Sequence, residues 1–169
     1  MRTTSLKEFK PTILFLVKFV GLYLAGNILY GLYITAYEPE PDPVTHWVSN
    51  QTAMILSAGG WPIKIVDRVS SPTTALLYEG RSILSVYEGC NGLNTMILFV
   101  AFIVAFGPVN RTFLWFVPLG IIIIHGVNLL RIMLLFFVAE YMPRFMYFTH
   151  KYLSGSRSEE RRVGKECRS

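Results

Sequence analysis

Three long apolar stretches, separated by more polar segments, dominate the pattern of the chain. They cover about residues 11–36, 92–107 and 112–139. Because the hydrocarbon core of a bilayer is about 30 Å thick and takes about 20 helical residues to cross, each stretch predicts a transmembrane helix. The third is too long for one upright span, so we expect it to tilt, kink or bend near Arg131. The predicted fold class is an all-α polytopic membrane protein.

The segment between the first two stretches, residues 37–91, has shorter patterns. Residues 38–43 alternate acidic residues with proline, which is typical of a stiff, extended exit from a helix. Residues 44–58 mix apolar and polar positions and predict an amphipathic helix on the membrane surface. Three short apolar runs between residues 63 and 89, separated by turn residues, predict a small antiparallel β element that leads to Cys90.

The distribution of charge predicts the orientation of the helices. Residues 1–10 carry three cations and one acid, and the turn at residues 107–111 carries one arginine and no acid. The segment at residues 37–91 has six acids against three cations. Because Lys and Arg concentrate in cytoplasmic loops, we expect a cytoplasmic N-terminus and place residues 37–91 outside. The first apolar stretch is too long for a cleavable signal peptide.

The overall composition agrees with a membrane protein. Hydrophobic residues make up 52% of the chain and charged residues 16%, whereas soluble domains have about 45–50% and about 25%. Two cysteines are too few for a disulfide scaffold. The few positive charges flank apolar stretches and form no patch, so we expect the lipid bilayer and not nucleic acid as a partner.

The end of the chain, residues 157–169, continues no pattern of the rest. It resembles the in-frame translation of a sequencing-adapter oligonucleotide, so we expect a non-native tail. The tail contains five cations, three acids and one cysteine, and without it the formal charge falls from +5 to +3. We therefore predict a single membrane domain at residues 1–156 with one cysteine, Cys90. The alternative is a native, solvated basic tail.

Cys90 lies where the last predicted strand meets the second apolar stretch. The N-terminus of a helix stabilises a thiolate through its free N–H groups and its dipole. Gly89 and Gly92 leave room for the backbone of a substrate, whereas the negative charge of Glu88 opposes thiolate formation. The alternative is that Cys90 packs as a small hydrophobic residue.

Arg131 and Asn128 are polar residues inside the third apolar stretch, where polar side chains are costly and often functional. Twenty residues of helix separate Arg111 from Arg131, a rise of about 30 Å, which brings Arg131 to the face of the membrane that carries Cys90. Arg131 can stabilise a thiolate or an oxyanion, or it can be an interfacial anchor. Asn128 can line the same site or pack between helices.

A general base completes such a site, and histidine is the usual residue. His150 follows an aromatic run that we place at the outer interface. His125 lies about 9 Å deeper than Arg131 by helical rise and has the character of a buried hydrogen-bonding residue. His46, on the predicted surface helix, is expected to be solvated. The residues alone leave His150 and His125 open.

Three motifs in this order resemble the exosortase/archaeosortase family of polytopic membrane cysteine transpeptidases. They are EGCNGLN at residues 88–94, NLLRI at 128–132 and FTH at 148–150. The likeness is strongest to the compact F-type exosortases of the Bacteroidetes and covers about residues 1–153. The resemblance implies that Cys90 is the nucleophile, that Arg131 stabilises the oxyanion and thiolate, and that His150 is the acid/base. The supporting residues of the same motifs are Gly89, Asn91, Gly92 and Asn128.

The resemblance also implies a substrate and a location. The substrates are exported proteins with a C-terminal recognition motif, a hydrophobic helix and a basic tail, cleaved through a thioacyl intermediate. The site would face the periplasm from the bacterial cytoplasmic membrane. Family members continue after the histidine with another span, whereas the native pattern here stops at about residues 153–156. We therefore expect a truncated fourth helix and, with it, impaired activity.

Other functions remain as alternatives to the enzyme. The first is a non-catalytic membrane assembly or scaffold protein, in which Cys90 and Arg131 only pack and anchor. A thiol-disulfide oxidoreductase has less support because the chain contains no Cys-x-x-Cys motif. No cofactor or metal is expected, because the three histidines, His46, His125 and His150, lack close ligand spacing.

Overall fold

The computed structural model describes residues 6–68, 71–107 and 111–142, with the side chains of residues 6–8 left out. The described part is mostly helical with one small antiparallel sheet, in agreement with the predicted order of elements. The elements are α1 (Leu6–Thr35), α2 (Pro43–Ala58), β1 (Ile63–Arg68), β2 (Thr73–Tyr78), β3 (Arg81–Tyr87), a 3₁₀ turn (Glu88–Cys90), α3 (Leu93–Phe106) and α4 (Arg111–Tyr141).

Helix α3 packs against α1 and α4 and runs antiparallel to both. Near its C-terminus, Phe102 meets the ring of Phe15 on α1 edge to face. Nearer its N-terminus, Ile97 packs directly on Gly26 of α1. On its other side, Phe99 covers Gly120 of α4. Small residues let membrane helices approach closely, so the glycines on both neighbours seat the aromatic and branched side chains of α3.

Two of the described helices are long and apolar enough to cross a membrane, namely Phe9–Thr35 of α1 and Arg111–Tyr141 of α4. Helix α3 has 14 residues, a length of about 21 Å against the roughly 30 Å of a hydrocarbon core. Its apolar character matches the predicted second span, but its length does not by itself establish a crossing. The predicted count of three transmembrane helices therefore stays a prediction.

The C-terminal turns of helix α4 pack against other parts of the protein. It does not stop near Arg131 but continues as a helix to Tyr141. Asn128, Ile132 and Phe136 form its buried stripe, spaced by four residues. This part of α4 contacts α2 and β3. One side of these extra turns is covered by the segment that precedes α3, while Leu134 and Tyr141 remain exposed.

Helix α2 and the three strands form a cap subdomain, residues 43–87, which packs over the C-terminal half of α4. The sheet has the order β1-β2-β3, with Ile65 opposite Leu76 and Leu76 opposite Leu84. These side chains point to the same face, because partners across antiparallel strands share a face. The buried core of the cap and α4 consists of Val48, Ala53, Leu56, Ile63, Leu76, Leu84, Val86, Cys90, Ile132 and Phe136.

The amphipathic helix predicted at residues 44–58 is present as α2, and the side that it buries within the protein is partly polar. Its covered side includes Thr45, Ser49 and Thr52, whereas Trp47 and Met54 are exposed. The Ser49 and Thr52 hydroxyls donate to the backbone carbonyls four residues earlier, at 2.8 and 2.9 Å. Because these hydroxyls are satisfied within the helix, they can be buried against the sheet without a large desolvation cost.

Candidate active site

Cys90 lies at the junction between the cap subdomain and α3. It is the last residue of the 3₁₀ turn and precedes Gly92, the N-cap of α3, by two residues. Cys90 therefore precedes the first turn of α3, whereas the sequence predicted it at the N-terminus of this helix. The side chain is a free thiol, 7% exposed, and belongs to the apolar cluster that also contains Ile132 and Phe136.

Asn128 joins α4 to the cysteine turn. Its side-chain amide donates to the backbone carbonyl of Cys90 at 2.9 Å, and Asn128 is 6% exposed. Gly92 lies directly beneath it with φ +84°, and a Cβ there would lie 3.1 Å from Asn128 Cγ. Glycine is required at this position because the left-handed backbone and the close side chain both disfavour a Cβ. Asn128 therefore marks the level of Cys90 along α4.

Arg131 lies three residues beyond Asn128, a rise of about 4.5 Å along α4. Its Nε is buried, and no described residue accepts a hydrogen bond from it. The ion pairs among the described residues involve other groups. The sequence placed Cys90 and Arg131 at one depth, and Arg131 lies about one helical turn along α4 from Asn128, the residue that binds the Cys90 carbonyl. A buried cationic donor without a partner has unused capacity for an anionic group.

A buried network around Asn91 holds the other side of the cysteine turn. The Asn91 amide donates to the Tyr30 hydroxyl at 2.9 Å, and that hydroxyl donates to the Glu88 carbonyl at 2.9 Å. The Asn91 side-chain oxygen accepts from the N–H of Leu93, the first residue of α3, at 2.9 Å. Thus α1 holds the carbonyl two residues before Cys90, while α4 holds the carbonyl of Cys90 itself.

The same network reaches the start of α2. Asn91 also donates to the Thr45 hydroxyl at 3.3 Å, and this hydroxyl donates to the carboxylate of Asp42. Asp42 is the N-cap of α2 and accepts from the N–H groups of Val44 and Thr45. Sequence reasoning missed Tyr30, Asp42 and Thr45. The Asp-Pro pair at residues 42–43 is a signal for a helix start that could have found the cap.

Gly89 has a packing role within the turn. The ring of Tyr87 covers its Cα, and a Cβ would lie about 3.1 Å from Tyr87 Cδ2, with other ring atoms also in contact range. The space over Gly89 is filled by Tyr87, and that over Gly92 by Asn128. Packing within the protein therefore explains both glycines. The space that we expected the backbone of a substrate to use is occupied by Tyr87 and Asn128.

The three histidines have different positions. His125 Nε2 lies 2.6 Å from Gln51 Oε1, and its ring stacks on Trp47 with centroids 4.9 Å apart. This agrees with the hydrogen-bonding role predicted for it. His46 lies at the surface with its Nδ1 2.9 Å from Asp67 Oδ2. His150 lies outside the described residues.

The described residues contain no group of three His, Cys, Asp or Glu side chains arranged to hold a metal ion. An open cleft of about 370 Å³ lies beside His46, on the surface of the cap. Its walls are Glu40, Pro41, Pro43, His46, Asp67 and Arg68. Neither Cys90 nor Arg131 lines it, so it is separate from the junction that holds Cys90.

Comparison with known protein families decides the relationship. The family model described as transmembrane exosortase (Exosortase_EpsH) matches residues 9–153. The chain belongs to the transmembrane exosortase family. The match contains the whole described fold from Phe9 onwards and every residue predicted for the site. No curated protein and no solved structure matches the chain.

Membership in the exosortase family confirms the resemblance found from the three motifs, and it confirms a membrane protein of a sorting-related family. The family is generally cysteine transpeptidase-like. The narrower likeness to F-type exosortases of the Bacteroidetes stays a prediction. The roles of Cys90, Arg131 and His150 are inferred from the motifs alone and are part of the proposal below.

Proposed function

We propose that this exosortase is a membrane cysteine transpeptidase that cleaves the C-terminal sorting signals of exported proteins. The observation that carries the proposal is the junction itself. The backbone carbonyl of Cys90 is held from α4 by Asn128, and about one turn along α4 from Asn128 the buried Nε of Arg131 has no partner among the described residues. A thiol and an unused cationic donor at neighbouring levels of one junction suit acyl transfer, in which negative charge develops on the carbonyl oxygen.

The proposed chemistry has two stages. The Cys90 thiolate attacks the scissile carbonyl, and Arg131 donates to the resulting oxyanion. When the C–N bond breaks, the leaving amine takes a proton from His150 and a thioester remains on Cys90. An acceptor nucleophile then gives its proton to His150, attacks the thioester and releases the Cys90 thiolate. With water as the acceptor the result is hydrolysis, and with another amine or hydroxyl it is transfer.

The surroundings of the site fit a substrate anchored in the membrane. Cys90 lies at the end of α3, beside membrane-type helices. A hydrophobic helix of the substrate beside these helices would bring the residues before it to the level of Cys90. We place the site on the periplasmic side of a bacterial cytoplasmic membrane, with a cytoplasmic N-terminus, because of the charge distribution of the loops.

A non-catalytic scaffold is the second candidate function, and one observation favours it. The Cys90 side chain is 7% exposed and packs among apolar residues of the cap and α4. A cysteine in such surroundings can act as a small core residue. The enzyme therefore requires the cap to move enough to admit a peptide, whereas the scaffold does not.

Cleavage of a reporter separates the two candidates. The probe is an exported protein that ends in a C-terminal segment encoded in the same genome, with a short motif, a hydrophobic helix and a basic tail. We expect Cys90→Ser and Arg131→Gln to leave the reporter at full length. Arg68→Gln is the matched control, since Arg68 is an exposed cation of the cap, and it should cleave normally. Processing by the Cys90→Ser variant at the unsubstituted rate would refute the enzyme.

A further inference from the structure

Strand β3 forms one edge of the sheet and leads directly to Cys90. The strands have the order β1-β2-β3, so β3 pairs with β2 on one side only. Its last residue, Tyr87, is followed by the 3₁₀ turn that ends at Cys90. Among the described residues, none outside the sheet forms a backbone hydrogen bond with residues 81–86. The outer edge of β3 therefore has N–H and C=O groups that another strand can bind.

The part of β3 nearest the cysteine turn is regular. Its last four residues, Leu84 to Tyr87, pair with β2 in antiparallel register without interruption. Leu84 and Val86 are buried in the core of the cap, whereas Ser85, on the opposite face, is only partly buried. These four residues thus form an edge of about 13 Å with one covered face and one more open face.

The opposite edge of the sheet, β1, has features that discourage pairing with another strand. Pro62 directly precedes β1, and three of its six residues, Lys64, Asp67 and Arg68, are charged and exposed. Natural sheets protect their free edges with proline and with charged side chains. After Arg81, β3 contains neither proline nor a charged residue. The comparison identifies β3 as the edge that is left open to a further strand.

We propose that the substrate segment just before its hydrophobic helix binds to β3 as a fourth strand, which brings the scissile carbonyl to Cys90. The proposal rests on the function proposed above. In this chain a strand, a short turn and an apolar helix follow one another as β3, the cysteine turn and α3. The substrate has its recognition motif before its hydrophobic helix, so it runs in the same direction and pairs parallel to β3.

Strand addition defines how the substrate is recognised. Main-chain hydrogen bonds to a sheet edge provide affinity, and contacts with alternate side chains provide specificity. The side chains of the added strand point alternately to the face of Ser85 and to the face of Leu84 and Val86, because successive residues of a strand point to opposite faces. A second copy of this chain is another possible occupant of an open edge, and the experiment below distinguishes it from the substrate.

Disulfide trapping between the enzyme and a reporter tests the proposal. The full chain carries Cys90→Ala and Cys167→Ser, which prevents cleavage, and in addition either Ser85→Cys or Lys64→Cys. Lys64 is the matched control because it is exposed on the same face of the sheet as Ser85 but lies on the β1 edge. The reporter is the exported protein described above, with a single cysteine placed at successive positions before its hydrophobic helix. Membranes that contain both proteins are oxidised, and the crosslinked product is measured.

We expect Ser85→Cys to trap every second reporter position about tenfold more than the positions between them, because only alternate side chains share its face. The control Lys64→Cys should trap none above background. Equal trapping at all positions, equal trapping by the two variants, or no trapping by Ser85→Cys would overturn the proposal. A Ser85→Cys dimer that the reporter does not displace would assign the edge to a second copy and would also overturn it.

Cleavage of the cysteine-free reporter by the unsubstituted enzyme is measured separately and tests the proposed function. Alternate trapping without cleavage would support the added strand and refute the transpeptidase. Cleavage without trapping would refute the added strand and support the transpeptidase.

A proline scan of the best-trapped reporter provides a second measurement. Proline should reduce trapping at every second position, because only alternate N–H groups of an added strand face β3 and proline has no N–H. Loss of trapping at every position, or at none, would show that the segment does not bind through its main chain and would overturn the proposal.

Discussion

In α1, no residue of the most apolar window is buried inside the protein, whereas the cap encloses Val48 and Leu76 completely. Helix α1 is the more apolar of the two regions, so apolar content alone does not determine which region has a buried core. Helix α1 is attached through aromatic contacts and a few polar bonds along one side. The cap instead has a closed core between α2, the sheet and α4. The cysteine turn lies where these two kinds of packing meet.

The comparison teaches where the stability of the site originates. Removing an exposed apolar group of α1 changes contacts with lipid only, because lipid can refill the space. Removing a buried group of the cap leaves a cavity, because the surrounding side chains relax only in part. Substitutions in the two regions should therefore have very different effects on the folding of the cysteine junction.

The largest effect is expected from Phe136→Ala. Phe136 is fully buried and its ring meets Tyr78 of β2 edge to face. We expect a loss of about 3–5 kcal/mol in the free energy of unfolding. Leu29→Ala, on the exposed side of α1, should change it by less than about 0.5 kcal/mol. Unfolding by denaturant in mixed micelles measures both, and similar losses for the two variants would contradict the distinction between the regions.

A smaller effect on the free energy of unfolding is expected from Asn91→Ala, at the boundary between α1 and the cap. The substitution leaves the Tyr30 and Thr45 hydroxyls and the Leu93 N–H without a bond that they now make. We expect a loss of about 1–3 kcal/mol, measured in the same way. Asn94→Ala is the control, because Asn94 is exposed and makes one long contact of 3.5 Å with Tyr23. A neutral Asn91→Ala variant would show that the network adds nothing to the junction.

The smallest effect is expected from Tyr30→Phe. This change removes the hydroxyl that joins Asn91 to the Glu88 carbonyl but retains the ring. A loss of about 0.5–1.5 kcal/mol follows from the loss of one hydroxyl bridge. Tyr37→Phe, at an exposed tyrosine of the following segment, serves as the comparison and should be neutral. If both changes have the same effect, α1 does not stabilise the cysteine turn through this hydroxyl.

Much of the architecture could be predicted from the chain. The periodicity predicted the helices and the three strands to within a few residues, since apolar runs and turn residues are local signals. The three motifs at residues 88–94, 128–132 and 148–150 together predicted the family, which the match over residues 9–153 confirmed. The helical rise from Arg111 predicted a similar depth for Arg131 and Cys90, since the rise of an α-helix is constant.

Other features could not be read from local patterns. The buried face of α2 carries threonines and a serine, because hydroxyls satisfied by their own helix can pack against a sheet. Tyr30 and Thr45 contact Asn91 across 61 and 46 residues of sequence. No periodicity encodes such contacts. The roles of the catalytic candidates stay predictions, with His150 outside the described residues.

The sequence by itself determined the class of the protein, its family and the order of its elements, because hydrophobic length, turn residues and short motifs act locally. Only the tertiary structure decided which faces are buried and where the cysteine lies. It placed Cys90 level with Asn128, filled the space over Gly89 and Gly92, and left the Arg131 Nε without a described partner. These properties depend on which segments pack together, and distant side chains determine that jointly.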